Sequence, residues 1–375
     1  MTKSRYLYID LLRSWAMTIM IEVHVVNAFM LPILRETLWF PALNFINGLV
    51  APSFIFISGF AFVVSVHGKG EELRGFGDIF RKRLRRIFLI FIVGYLIHVP
   101  YYSFGNIIKY ASPEEMKHFY NVDVLQCTAA GLLILLFFRI VLKDNRAFHI
   151  AVSAMTILVA SLSPVVWKYD FAEVLPLPIA CYFNDLHGSF FPLFPWSAFL
   201  FGGASFAMFV LAAERDSSIE VFMKKIGSIS LVLALLLFAI VSYLCFMPWY
   251  NIKPSPLFFA ERLAIVIFLV SLLWVYQKNK NSSDSWFLAI GRESLLVYWL
   301  HLQIIYRHVW AGRSLENIYG LRLTFVQAIG SSLLLIFSMF VVAFIWNKIK
   351  SKSPKMGKVL FWLVVFAFLW KFTFY

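Results

Sequence analysis

Long apolar segments recur along the whole chain, and their length is the feature that most restricts the fold. Each segment holds close to the ~20 residues that an α-helix needs to cross a bilayer. Transmembrane β-strands are shorter and alternate between apolar and polar residues, which these segments do not do. The sequence therefore predicts an all-α integral membrane protein, a polytopic bundle of about 11 transmembrane helices.

Composition agrees with this prediction. The chain of 375 residues is 61% hydrophobic and 14% charged, whereas about 25% of the residues of a typical soluble domain are charged. We see no soluble domain and no internal repeat, so we predict a single transmembrane domain over residues 1–375. The predicted spans are 7–30, 46–66, 87–104, 124–142, 148–166, 191–212, 227–248, 259–276, 287–306, 323–347 and 359–375.

The positive charges predict an orientation. If the N-terminus is cytoplasmic, most Lys and Arg residues outside the predicted spans fall in segments on the cytoplasmic side. Cytoplasmic segments of membrane proteins carry such an excess, so we expect a cytoplasmic N-terminus. The net charge of +14 then mostly reflects membrane topology, and no nucleic-acid partner is expected.

The first predicted span, "YIDLLRSWAMTIMIEVHVV", contains four ionisable residues, Asp10, Arg13, Glu22 and His24. Asp10 and Arg13 are three residues apart and share a helix face. His24 follows Asp10 by close to four helical turns, so it lies near the same face, roughly 21 Å further along. This stripe is typical of one wall of a polar path, although an ion pair that only fixes helix packing explains Asp10 and Arg13 equally well. Glu22 faces elsewhere and receives no role.

A second histidine lies inside the ninth predicted span, in "GRESLLVYWLHLQIIY". His301 and His24 are on different helices and could meet in one pocket. Imidazole is suited to general base catalysis because its proton affinity is matched to neutral pH. The competing interpretation is a buried, hydrogen-bonded histidine without a catalytic role. His98, near the end of the third span, is a weaker candidate.

Two further groups are candidates for binding a co-substrate. Arg81, Arg83, Arg85 and Arg86 stand in a basic run just before the third span. Membrane topology or anionic lipid headgroups can explain such a run, but it also suits the phosphates of a nucleotide. In "APSFIFISGFAF", Ser58 and Gly59 allow the backbone to approach closely either another helix or a ligand.

Polar residues near the predicted outer surface are candidates for binding a hydroxylated substrate. Asp123 and Gln126 are three residues apart at the start of the fourth span. Asp185 and His187 lie in the long outer segment 167–190. Carboxylate, amide and imidazole groups suit sugar hydroxyls, but they equally suit an ordinary hydrated loop.

The segments "YIDLLRSWAMTIMIEVH", "PSFIFISGF", "DVLQC", "FPLFPW" and "GRESLLVYWLH", with the basic run, occur in an order that resembles bacterial heparan-α-glucosaminide N-acetyltransferase-like membrane proteins. These are related to the wider acyltransferase-3 superfamily. The resemblance covers nearly the whole chain. It implies a multi-pass enzyme, expected in the bacterial inner membrane, that moves an acetyl group from cytoplasmic acetyl-CoA to an amine or hydroxyl of a sugar or envelope glycan outside.

By position, the resemblance assigns Asp10 and Arg13 to the family's first-helix Asp and Arg, and His24 to the polar residue that ends that motif. Ser58 with Gly59 matches the small pair of the second helix, and His301 matches the late histidine. In the animal lysosomal enzyme a catalytic histidine lies in the first outer loop, whereas this chain has no histidine from 25 to 66. If the reaction is the same, another residue must be the base.

The resulting hypothesis is acyl transfer across the membrane. We expect the arginines of the basic run to bind the CoA phosphates, the pantetheine arm to pass Asp10 and Arg13, and His24 to act as base with His301 as partner or oxyanion donor. The expected partners are membrane lipid, acetyl-CoA and a glycan acceptor, with no metal and with a homodimer left open. The alternatives are a proton-coupled transporter or flippase of a polar envelope metabolite, and an O-acyltransferase using another acyl chain.

Overall fold

The protein is described by a computed structural model that covers residues 6–248, 250–278, 286–307 and 313–374. Within these ranges it forms helices and no strands, with one isolated bridge between Met30 and Leu323. Two short 3-10 helices lie at Pro32–Glu36 and Phe171–Glu173. The α-helices are α1 (Leu7–Phe29), α2 (Phe40–Asn47), α3 (Val50–Val66), α4 (Gly70–Arg74), α5 (Asp78–His98), α6 (Phe104–Tyr110), α7 (Pro113–Tyr120), α8 (Val124–Val141), α9 (Asn145–Val166), α10 (Leu177–Ala180), α11 (Leu193–Arg215), α12 (Ile219–Leu244), α13 (Pro256–Lys278), α14 (Trp286–Arg292), α15 (Ser294–Tyr306), α16 (Leu315–Tyr319), α17 (Phe325–Lys352) and α18 (Pro354–Phe374).

The predicted all-α membrane fold is confirmed. In the described part of the chain, eight helical stretches are long and apolar enough to cross a membrane, with α2 and α3 counted together. Helix α1 matches the first predicted span, and α5 overlaps the third, predicted at 87–104. Neither is among the eight, and both carry several charged residues. The predicted number of spans and the cytoplasmic N-terminus therefore stay predictions.

Contacts divide the chain into two compact units. Unit 1 contains residues 1–50, 99–111 and 277–375, and unit 2 contains residues 51–98 and 112–276. The prediction of one acyltransferase domain over 1–375 stays a prediction.

Unit 1 is organised around α1, which packs against α14, α15 and α17. At its C-terminal end, Val25, Ala28 and Phe29 form a buried apolar cluster with Ile305 of α15. The last carbonyl groups of a helix lack partners inside it. Here the Phe29 carbonyl accepts a bond of 2.8 Å from the backbone N–H of Leu323, and Leu31 N–H donates 3.0 Å to the Leu323 carbonyl. These bonds fix the end of α1 beside the start of α17.

The predicted ninth span, 287–306, is helical along its length apart from one turn residue at Glu293. It is divided into α14 and α15 at Glu293. The Glu293 carboxylate is 7% exposed and accepts two bonds of 2.8 Å from Lys350 and one of 3.1 Å from Asn347. A buried carboxylate needs such partners, and both come from α17.

Unit 2 is organised around α11, which packs against α8, α9 and α12. Two glycines allow α3 and α11 to approach at backbone distance. A Cβ on Gly59 would collide with the carbonyl oxygen of Leu200, and a Cβ on Gly203 would collide with that of Phe56. Small residues at such contacts are typical of membrane helix pairs.

We predict that Lys350→Met lowers the stability of the protein by about 2 kcal/mol, because it leaves the buried Glu293 carboxylate without its cation. Thermal unfolding of the purified protein measures the effect. Lys352→Met, at an exposed lysine of the same helix, is the matched control. The double variant Glu293→Gln/Lys350→Met should recover part of the loss, and equal stability of Lys350→Met and Lys352→Met would contradict the interpretation.

Candidate functional site

Two histidines and a tyrosine meet inside unit 1. The ring centroids of His24, on α1, and His301, on α15, are 5.2 Å apart. Tyr306, also on α15, lies edge-on to His24 at 5.8 Å, and Tyr298 lies edge-on to His301 at 5.7 Å. His301 is fully buried, whereas His24 is only partly buried. The structure thus brings together the two histidines that the sequence singled out.

The hydrogen bond of His301 defines its tautomer. Its Nδ1 lies 2.7 Å from the carbonyl oxygen of Val297, one turn earlier on α15. A carbonyl oxygen only accepts, so Nδ1 carries the proton and donates it. Nε2 is buried and has no hydrogen-bond partner among the described residues. A buried N–H without a partner would be costly, so Nε2 carries a lone pair.

Tyr306 links the two helices through His24. Its hydroxyl lies 3.3 Å from the backbone carbonyl of His24 and 3.3 Å from His24 Nδ1. A hydroxyl has one proton to donate. When Tyr306 donates to the carbonyl, His24 Nδ1–H donates to the Tyr306 oxygen, and His24 Nε2 is then left with a lone pair.

Asp10 and Arg13 form the ion pair that their spacing permits, with 3.3 Å between Arg13 Nη1 and Asp10 Oδ1. Both are largely buried, at 7% and 17% side-chain exposure. The next turn packs tightly against α14, since a Cβ on Gly291 would meet Ser14 Oγ and the Asp10 carbonyl. In this structure the pair lies at a helix contact, which agrees with the packing interpretation and leaves a role in binding as a prediction.

The basic run lies on a helix, since α5 begins at Asp78, ahead of the predicted start of the third span at 87. Arg81 forms an exposed ion pair with Asp78 at 3.3 Å. Arg85 and Arg86 are exposed and make no ion pair with a described residue. Arg83 is partly buried, and its Nε has no partner in the described ranges. The guanidinium groups of Arg85 and Arg86 are thus available to an anion, and that of Arg81 is exposed as well, beside Asp78.

Ser58 and Gly59 make contacts within unit 2. The Ser58 hydroxyl donates 2.9 Å to the Phe54 carbonyl of its own helix, and Gly59 forms the close contact with α11. A contact of either with a co-substrate stays a prediction.

Asp123 and Gln126 form a capping box at the start of α8. Asp123 Oδ1 accepts 2.7 Å from the Val124 N–H, and Gln126 Oε1 accepts 3.2 Å from the Asp123 N–H. An acidic residue followed three positions later by Gln ahead of an apolar run signals such a cap, and the sequence interpretation overlooked it. His98 Nε2 lies 3.6 Å from Asp123 Oδ2. Substrate binding here stays a prediction.

Asp185 and His187 lie in the loop of unit 2 that precedes α11. His187 Nε2 donates 2.8 Å to Asp170, and this bond, with the Ala172 N–H, lowers the pKa of Asp170 below its usual range. Asp185 lies 3.9 Å from Lys253. Asn184 is buried and donates 2.7 Å to the Tyr169 carbonyl. The loop is thus held by its own polar contacts, and its binding role stays a prediction.

A family model described as "Heparan-alpha-glucosaminide N-acetyltransferase, catalytic" matches residues 5–248, well over half of the chain. The chain belongs to this family. No curated protein matches the sequence significantly. The match includes Asp10, Arg13, His24 and the basic helix, and it ends before α13, α15 and α17.

This member of the heparan-alpha-glucosaminide N-acetyltransferase family is therefore a multi-pass membrane acetyltransferase. The candidate histidine pair combines one residue inside the family match with one beyond it. Among the described residues, no group of three or more His, Cys, Asp or Glu side chains is arranged to hold a metal ion. His24, His301 and Tyr306 bring imidazole and phenol groups together in unit 1.

Proposed function

We propose that the protein transfers an acetyl group from acetyl-CoA to an amine or hydroxyl of a sugar or envelope glycan, with His24, His301 and Tyr306 at the reaction centre. The observation that supports this most strongly is the buried Nε2 lone pair of His301, beside the ring of His24. An imidazole that a backbone carbonyl holds in one tautomer has a nitrogen lone pair that can accept a hydrogen bond or a proton.

In the proposed reaction the acceptor nitrogen or oxygen attacks the thioester carbonyl carbon, and the C–S bond breaks to release CoA. His24 takes the proton that the acceptor loses. His24 is then a cation in a largely apolar region. The neutral His301 ring beside it, with its unprotonated Nε2, stabilises that charge, and His24 passes the proton to the departing CoA sulfur. Because His301 Nε2 carries no proton in this tautomer, His301 suits this role better than that of an oxyanion donor.

Tyr306 has a positioning role in this proposal. Its two contacts with His24 fix the ring relative to the α1 backbone. When Tyr306 donates to the His24 carbonyl, its oxygen accepts from His24 Nδ1–H, and His24 Nε2 is then able to act as base. Asp10 and Arg13, at the other end of α1, are proposed to border the entry of the acyl donor.

The acyl donor requires a site for its phosphates. The exposed guanidinium groups of Arg81, Arg85 and Arg86 fit phosphate oxygens in charge and in hydrogen-bond geometry. We therefore propose the start of α5, including the partly buried Arg83, as the site that binds the nucleotide part of acetyl-CoA.

We predict that His24→Gln and His301→Gln each reduce acetyl transfer by a factor of about 10²–10⁴, the range expected for loss of general base catalysis. Tyr306→Phe should cause a smaller loss of kcat, since it removes only the positioning contact. The measurement is transfer of radiolabelled acetyl from acetyl-CoA to a panel of amino sugars and neutral sugars by purified protein, with product identification by mass spectrometry.

The matched control is His67→Gln, at an exposed histidine beyond the end of α3, which should keep wild-type transfer. If both His24 and His301 variants retain wild-type transfer to every acceptor, the proposed reaction centre is wrong. CoA-independent uptake of a sugar into vesicles, without acetylation, would favour a transporter instead.

We predict that Arg85→Gln/Arg86→Gln raises the KM for acetyl-CoA by about tenfold, because charge-assisted bonds to the phosphates are lost. The KM for acetyl-pantetheine, which lacks the nucleotide and its 3′-phosphate, should change much less. Lys143→Gln/Arg146→Gln removes two exposed positive charges elsewhere in unit 2 and is the matched control. Equal effects on both donors, or the same effect in the control, would contradict nucleotide binding by α5.

A further inference from the structure

Unit 2 holds a buried arginine without an acidic partner at the turn between α8 and α9. Arg139, in the last turn of α8, is 7% exposed, and it makes no ion pair with any described residue. Its guanidinium stacks over the Phe148 ring with Cζ 5.5 Å from the centroid, and Nη1 donates 3.4 Å to the Leu142 carbonyl. Buried arginines are normally paired with an anion, so this cation lacks its usual partner.

A second arginine adds positive charge at the same place. A Cβ on Gly70 would lie 2.8 Å from Arg139 Nη2 and 3.2 Å from Arg74 Nη1, so both guanidinium groups lie against the same glycine. Like charges this close repel each other. Membrane topology requires positive charge in loops on one side of the membrane, and it does not require two guanidinium groups side by side. An anion that contacts both would remove the repulsion.

The cluster of Arg74 and Arg139 is open at the protein surface, and a carboxylate already occupies part of it. Glu71, whose side chain is 93% exposed, pairs with Arg74 Nη2. Nε and Nη2 of Arg139 have no hydrogen-bond partner among the described residues, yet neither atom is sealed from solvent. An exposed ion pair between residues three apart contributes little to stability. An oxyanion from outside can therefore replace the Glu71 carboxylate without rearrangement of the helices.

The chemistry of the cluster fits a phosphate group. Two guanidinium groups offer two positive charges and several N–H donors in planar arrays, which match the oxygens of a phosphate. Glu71 supplies only one negative charge for both. Asp144, at the start of α9, accepts 2.9 Å from the Ala147 N–H as a helix cap. The described acidic residues of this turn therefore do not complete the cluster.

The place of the cluster favours a phospholipid as the source of the phosphate. Helices α8 and α9 are both long and apolar enough to cross a membrane, so the turn between them lies at the membrane boundary, where headgroups are found. Phe137 and Val141 of α8 and Ile150 of α9 are exposed and can contact acyl chains. In the predicted orientation this end of α8 faces the cytoplasm, where basic pockets between membrane helices bind anionic lipid headgroups.

We propose that Arg74 and Arg139 form a site in unit 2 that binds the phosphate of an anionic phospholipid at the end of α8. Glu71 is then a competing anion, which the lipid phosphate displaces from Arg74. The site uses none of the α5 residues that are proposed to bind acetyl-CoA, and it binds lipid whether or not acetyl transfer takes place.

The test is lipid binding by the purified protein in detergent, without acetyl-CoA, measured by native mass spectrometry and by thermal stability. The probe is dioleoylphosphatidylglycerol, and dioleoylglycerol, which has the same acyl chains without the phosphate, is the lipid control. We expect the phospholipid to bind and stabilise the wild-type protein, and dioleoylglycerol to do so much less. Arg139→Gln should weaken binding of the phospholipid by about tenfold, because charge-assisted hydrogen bonds are lost.

Glu71→Gln gives an expected change of the opposite sign. It removes the competing carboxylate from an exposed position, so phosphatidylglycerol should bind about two- to fivefold more tightly. This variant keeps the test decisive if Arg139→Gln does not fold. Arg215→Gln removes an exposed arginine that pairs with Asp216. It is the matched control and should bind the lipid as the wild-type protein does.

The proposal is overturned if phosphatidylglycerol binds no better than dioleoylglycerol, if folded Arg139→Gln binds it as well as the wild-type protein, or if Glu71→Gln does not tighten its binding. Inorganic phosphate and CoA are tested in the same way, because each offers phosphate oxygens without a lipid. If either of them, rather than the phospholipid, gives the stabilisation that depends on Arg139, a lipid is the wrong source of the phosphate and the proposal fails.

Discussion

The interaction of Glu293 with Lys350 and Asn347 is the constraint on which the proposed reaction centre depends. The carboxylate cannot remain among apolar groups without partners, and both partners lie on α17. These bonds tie the junction between α14, which ends at Arg292, and α15, which begins at Ser294, to α17. Helix α15 then carries His301 and Tyr306 against α1, where they meet His24.

The proposed reaction centre combines a fully buried histidine, His301, with a more accessible one, His24. Val297, one turn before His301, fixes its ring, and burial removes every other polar contact from Nε2 within the described residues. His24 is partly exposed and bonded to Tyr306. One imidazole can therefore meet an acceptor while the other stabilises the charge that forms. Of the two histidines, only His24 lies within the residues that match the family.

The sequence predicted those features of the fold and the site that depend on local residue spacing or on the energetic cost of polar groups in a membrane. Asp10 and Arg13 pair because residues three apart on a helix are neighbours, and His24 and His301 were conspicuous because histidine is rare in apolar spans. Tyr306 was missed because its partner is 282 residues away and no local pattern indicates it. Asp123 and Gln126 were interpreted as substrate contacts although their spacing also signals a capping box.

The proposed reaction requires that His301 carry a bare Nε2 lone pair beside the ring of His24, and the tautomer of His301 tests this requirement directly. Nitrogen-15 NMR of protein labelled at its histidines, with His301→Gln to assign the signal, distinguishes the two neutral forms at neutral pH. We predict a neutral ring protonated at Nδ1, with the proton donated to the Val297 carbonyl. A ring protonated at Nε2 would contradict it, because His301 would then have no lone pair to offer to His24.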